Sequence, residues 1–260
     1  MKSTHSFLLK AVVVLCLPLP AFCAKDPFAV AKANTVQVDV AKLLNDRVVF
    51  TAQDGKLQPA LHAVDTGDTS VLITDGAAAL AQSGVLTALP NSDLFAADKR
   101  HTTVKLHYAQ PDGGPQVRRT TARTETYEMA LTGQRFRQLQ LFFISAQGET
   151  PLTVHIYYKE GKVGERTTTV PDFYFLPKAE DPRWFVLTGD FGKVNLQGKM
   201  TEATHHYLHG FDLNPDPTRG ILKIEITKQD SGSVLNFFGA TGQVAEASEH
   251  RSKSTHHRSH

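Results

Sequence analysis

Apolar residues recur at every second position in several separate stretches of the chain, and that is the period of a strand half-buried against a core. TYEMAL puts Tyr127, Met129 and Leu131 on one side, and LTVHIYY does the same with Leu152, Val154, Ile156 and Tyr158. ILKIEI reads as a strand with Leu222, Ile224 and Ile226 on its apolar side. FRQLQLFFIS starts with the same alternation and becomes apolar on both faces from Leu141 to Ile144, which predicts a central strand covered on both sides. Shorter strands are expected at 35–40, 48–51, 71–74, 103–108, 184–187 and 234–238.

Turn residues punctuate these runs: Asp112-Gly113-Gly114-Pro115, Glu160-Gly161, Asn214-Pro215-Asp216-Pro217 and Ser231-Gly232. Long helical periodicity is absent. GAAALAQSGVLTAL supports one or two helical turns, limited by Gly84 and Pro90. Many short strands with polar turns predict an all-β chain folded as an antiparallel two-sheet sandwich rather than an alternating α/β domain.

The two ends read differently. MKSTHSFLLK followed by AVVVLCLPLPAFC has a basic start, a short apolar run and a small-residue exit, the plan of a secretory signal peptide over 1–23. The run is too short and too proline-broken to span a bilayer, so the mature chain is expected to have no transmembrane span and to be secreted or periplasmic. Cleavage after Cys23 puts Ala21 and Cys23 at the positions that must be small, whereas lipidation of Cys23 is disfavoured by Phe22 before it. Residues 24–33 read as a linker and 34–244 as the sandwich domain. Residues 245–260, AEASEHRSKSTHHRSH, have almost no large apolar residue and read as a disordered His-rich tail.

Removing the leader changes the chemistry available. Both cysteines, Cys16 and Cys23, leave with it, so the mature chain has neither a disulfide nor a thiolate-bound metal. Lys2 and Lys10 go too, turning 28 basic against 26 acidic residues into 26 against 26. A neutral chain without a concentrated basic surface gives no reason to expect nucleic acid as a partner.

HHYLHGFDL, starting at His205, raises the question of a metal site. On a helix His205 and His209 would share a face, but on a strand they stand roughly 13 Å apart, too far for one ion. His205, Tyr207, His209, Phe211 and Leu213 then face one way and His206, Leu208, Gly210 and Asp212 the other. A metal-associated protein using His205 or His209 with His250, His256, His257 and His260 of the tail is retained as an alternative. No His-Glu-x-x-His, Gly-x-Ser-x-Gly, phosphate-binding glycine loop or dinucleotide fingerprint occurs. The scattered acids Asp172, Asp181, Asp190, Glu202 and Asp212 leave a glycoside hydrolase with an acid pair as a further alternative. The leading expectation is a non-catalytic protein.

PDFYFLPKAEDPRW, residues 171–184, gathers Phe173, Tyr174, Phe175 and Trp184 around Asp172, Asp181 and Arg183. Aromatic faces beside a carboxylate and a guanidinium suit a sugar, whose C–H faces stack on rings while its hydroxyls need fixed partners. The same composition also serves to close one end of a core. Trp184, Tyr174, Asp172 and Arg183 are the expected ligand-binding residues, through loops at one end of the sheets.

FRQLQLFFISAQGETPLTVHIYYKEGKVGERTTTVPDF and ATHHYLHGFDLNPDPTRGILKIEITKQDSGSVLNFFGATG together resemble the galactose-binding-like jelly-roll modules of secreted bacterial proteins, which are often appended to glycoside hydrolases. VQVDVAKLLND and TALPNSDLFAAD resemble that group's first strand and its Leu-Pro turn, so the resemblance covers most of 34–244. It departs where Glu160-Gly161 stands for Asp-Gly and where Asp172-Phe173 stands for Asp-Trp. The resemblance implies a jelly-roll fold and binding of a glycan or cell-surface polysaccharide. It also leaves a structural calcium as an open alternative, for which the chain offers Asp65, Asp68 and Asp75 without an EF-hand spacing.

Overall fold

The computed structural model describes residues 35–110 and 112–245. The expected signal peptide, the linker and the tail beyond Ala245, with its four histidines, lie outside those residues. The strands are β1 (Thr35–Gln37), β2 (Val49–Gln53), β3 (Lys56–Gln58), β4 (Leu72–Ile73), β5 (Leu94–Phe95), β6 (Val104–Lys105), β7 (Arg118–Thr120) and β8 (Glu125–Gln134). They continue with β9 (Phe136–Ala146), β10 (Thr150–Tyr158), β11 (Val163–Val170), β12 (Trp184–Val194), β13 (Met200–Asp212), β14 (Ile221–Lys228) and β15 (Val234–Val244). Among the described residues one α-helix, α1 (Asp75–Ala81), ends at Gln82, which takes a left-handed conformation two residues before Gly84.

Two antiparallel sheets form the sandwich. One runs β1-β15-β9-β13-β12, with β7 also pairing β15, and the other runs β11-β10-β14-β8. Leaving aside β12 and the elements between β1 and β8, the chain changes sheet at every step except the β10–β11 hairpin.

Alternation decides what each strand buries. Tyr127, Met129 and Leu131 of β8, Leu152, Val154 and Ile156 of β10, and Ile224 and Ile226 of β14 meet Leu139, Leu141 and Phe143 of β9 between the sheets. The central strand β9 is covered on both faces, because Phe142, Ile144 and Ala146 pack into a second core on the other side of the six-stranded sheet. That second core is closed by the segment carrying Val48, Val49, Leu72, Leu89, Leu106 and Tyr108, so a third layer, which includes the short parallel pair β2–β4, backs the sandwich.

One facing differs from the alternation. Leu222 is 45% exposed, and Ile221 takes its place in the core beside Ile224 and Ile226. The β14–β8 register shifts between Ile221 and Lys223, and such an irregularity resets which side a residue faces.

Candidate functional site

Residues 171–183 link β11 in one sheet to β12 in the other and are held by hydrogen bonds to the β9–β10 hairpin and to β13. The Asp172 carboxylate is buried; it accepts the Gly148 N–H at 2.6 Å and the Tyr174 N–H at 3.0 Å, joining the segment to the β9–β10 hairpin. The Tyr207 N–H donates to the Phe173 carbonyl at 2.8 Å, and the buried His209 donates from Nε2 to the Phe175 carbonyl at 3.0 Å. Burial pushes the His209 pKa down to about 4, so its ring is neutral in ordinary conditions.

Within this frame the aromatics separate. Phe173 and Trp184 are core residues, in the outer and inter-sheet cores respectively. Tyr174 and Phe175 stay in solvent contact, Phe175 at 65% exposure. The four expected ligand residues therefore do not form one surface. Trp184 packs at the inter-sheet end, with Arg183 laid over Phe211 at 5.0 Å. Tyr174 sits on the opposite side of the six-stranded sheet, its ring 4.8 Å from that of His206, and both Asp172 oxygens are engaged by backbone.

A cleft of about 270 Å³ opens beside Trp184. Its lining combines the indole with Thr168, Thr169, Pro171, Glu149, Lys178, Glu180 and Asp181. The indole N–H donates to Thr168 Oγ1 at 2.7 Å, and that hydroxyl donates to Asp181 Oδ2 at 2.9 Å. Two bonds of 2.8 Å from the Arg183 guanidinium hold the Asp181 carboxyl below its ordinary pKa. Lys178 reaches the β9–β10 hairpin, 2.7 Å from Glu149. The cleft thus has buried Trp184 and the Thr168 hydroxyl at its base and both signs of charge at its rim, a set of donors and acceptors suited to a polyhydroxylated ligand.

On the other side of the six-stranded sheet lies an ionic network that no sequence pattern announces. Lys193 Nζ is buried against Tyr174 Oη, Ser70 Oγ at 3.2 Å and Glu202 Oε2 at 3.2 Å, and the Tyr174 hydroxyl donates to Glu202 at 3.1 Å. Burial works against the ammonium, yet these bonds carry the Lys193 pKa above the ordinary lysine value; burial also opposes ionisation of Glu202, whose pKa its partners nevertheless lower. His206 is fully buried, donates from Nδ1 to the Phe191 carbonyl at 2.8 Å, and has Nε2 3.4 Å from Glu202.

The strand reading of the histidines holds, with His205 exposed against Thr204 Oγ1 at 2.7 Å and His209 buried. Asp65 accepts the Gly67 N–H, Asp68 offers its carbonyl to Leu196, and Asp75 opens α1. Among the described residues no three His, Cys, Asp or Glu side chains converge to hold a metal ion. No helix among them is long and apolar enough to cross a membrane.

No protein-family model matches the chain, and no curated protein does. Similar solved structures include an exo-β-agarase, with 10% identity, 49% of this chain and 19% of that chain covered, and a TM-score of 0.25. PfGH50B is similar at 14% identity, with 47% of this chain and 19% of that chain covered and a TM-score of 0.25. The chain spans about a fifth of the length of each. The functional reading therefore rests on this chain's own geometry.

Proposed function

We propose that this is a non-catalytic, secreted or periplasmic β-sandwich that binds a carbohydrate in the cleft beside Trp184. The observation that carries the reading is the lining itself: Trp184 and the Thr168 hydroxyl beneath a rim formed by Lys178, Glu180 and the Arg183-held Asp181. A sugar presents apolar C–H faces and a ring of hydroxyls, and these surfaces suit the floor and the rim. Trp184 shapes the floor from within the core, while Lys178, paired with Glu149, and Glu180 stand exposed at the rim.

A glycan array probed with the full chain, with calcium and again with chelator, tests the reading. Specific retention is expected, reduced at least about fivefold, or roughly 1 kcal/mol, by Lys178→Ala or Glu180→Ala. Both residues are exposed, so the variants keep the fold. Retention unaltered in both variants removes this cleft, and silence from the folded protein under both conditions removes the carbohydrate reading. Loss on chelation alone would give calcium a part in the site.

A further inference from the structure

We infer that the ligand is an oligosaccharide rather than a single sugar, and that the exposed ring of Phe175 is the stacking platform for a sugar residue outside the cleft. This inference rests on the carbohydrate reading of the cleft.

Phe175 is 65% exposed, and Leu176 beside it is 61% exposed. Single exposed apolar side chains are ordinary. What sets this one apart is the backbone beneath it. The Phe175 N–H donates to the Asp172 carbonyl at 2.9 Å, the Tyr174 N–H to Asp172 Oδ1 at 3.0 Å, and the Phe175 carbonyl accepts from His209 Nε2 at 3.0 Å.

The His209 bond carries a cost. The ring has no exposed surface, and its Nδ1 has no hydrogen-bond partner among the described residues. A buried polar atom without a partner is a net penalty, and the one polar bond this imidazole makes fixes the carbonyl of the residue that carries the exposed ring. An aromatic side chain on an ordered backbone loses little conformational freedom when a ligand covers it, which is the condition for a productive stacking contact.

Chain connectivity places this platform near the cleft. Lys178 lies on the rim, and three residues of chain span at most about 11 Å, which bounds the separation of the two backbone positions and puts both within the length of one oligosaccharide. A single sugar in the cleft leaves Phe175 uncovered.

The test is isothermal titration of the full chain with cello-, xylo-, galacto-, chito- and galacturono-oligosaccharides, each from monomer to hexamer. In the series that binds, the hexamer is expected to bind about tenfold tighter than the monomer, the equivalent of one stacking contact. Phe175→Ala is expected to abolish that gain and leave monomer affinity unchanged, while Phe175→Trp restores it. Equal affinity for monomer and hexamer in the unaltered protein, or a gain that survives Phe175→Ala, overturns the inference and leaves the cleft reading standing. Absence of binding in every series overturns both.

Discussion

The indole N–H of Trp184 on β12 donates to Thr168 Oγ1 on β11 at 2.7 Å, so a single side-chain bond joins the edge strands of the two sheets. The cleft is built around it, with Trp184 and Thr168 both in its lining. Replacing Thr168 by Val keeps the shape and removes the acceptor. An indole N–H left without a partner costs about 1–3 kcal/mol, and a lower urea midpoint with an unchanged slope is the expected result.

The pH response of stability is expected to carry the signature of His209. Its pKa is about 4 in the fold against 6.5 as the ordinary value. The folded state therefore holds the neutral ring while the unfolded chain takes up a proton, and the sign follows from that difference. The contribution is complete above about pH 6.5 and is lost as pH falls toward about 4, amounting to about 3 kcal/mol. His209→Gln retains an amide donor for the Phe175 carbonyl without a titrating group. Urea midpoints measured across that range are expected to slope less steeply for the variant; parallel slopes would assign the acid sensitivity to other groups.

Lys193 is nearly as buried as a core residue, with its ammonium neutralised by Glu202 and hydrogen-bonded to Ser70 and Tyr174. Lys193→Met preserves the stem and leaves Glu202 without its counter-ion. Glu202 remains 39% exposed and can hydrate, so the cost falls between the limits for surface and buried pairs, about 1–3 kcal/mol. Thermal unfolding of this variant beside Glu202→Gln measures it; no loss in either would show that the network contributes nothing net to stability.

Gly210 on β13 is expected to tolerate no side chain. A Cβ there meets the ring of Phe185, which itself stacks on His101 at 3.8 Å between centroids. Gly210→Ala has to displace that ring, with a cost of about 1–3 kcal/mol from overpacking. A melting temperature equal to that of the unaltered protein would mean the ring moves freely.

Alternation marks most of the long strands and their facing, but not β11, whose VGERTTTV run carries no apolar side. Tyr127, Met129 and Leu131, or Leu152, Val154 and Ile156, point one way because alternation is a property of the extended backbone, legible wherever one side of a sheet is dry. The double-sided burial of β9 was legible for the same reason, from its unbroken apolar run. At Leu222 the alternation failed, because a register shift depends on the partner strand.

Which residues meet at the site is a matter of long-range packing. Nothing local distinguishes Trp184 and Phe173, which are buried, from Phe175, which is not, since all belong to one aromatic-rich stretch and their burial depends on which sheet face covers them. The third layer backing β9, the Lys178 contact with Glu149 and the meeting of Lys193 with Ser70 and Tyr174 join residues distant in the chain, Lys193 and Ser70 by 123 positions. Such contacts follow from sheet order and register, which the local period of a strand does not encode.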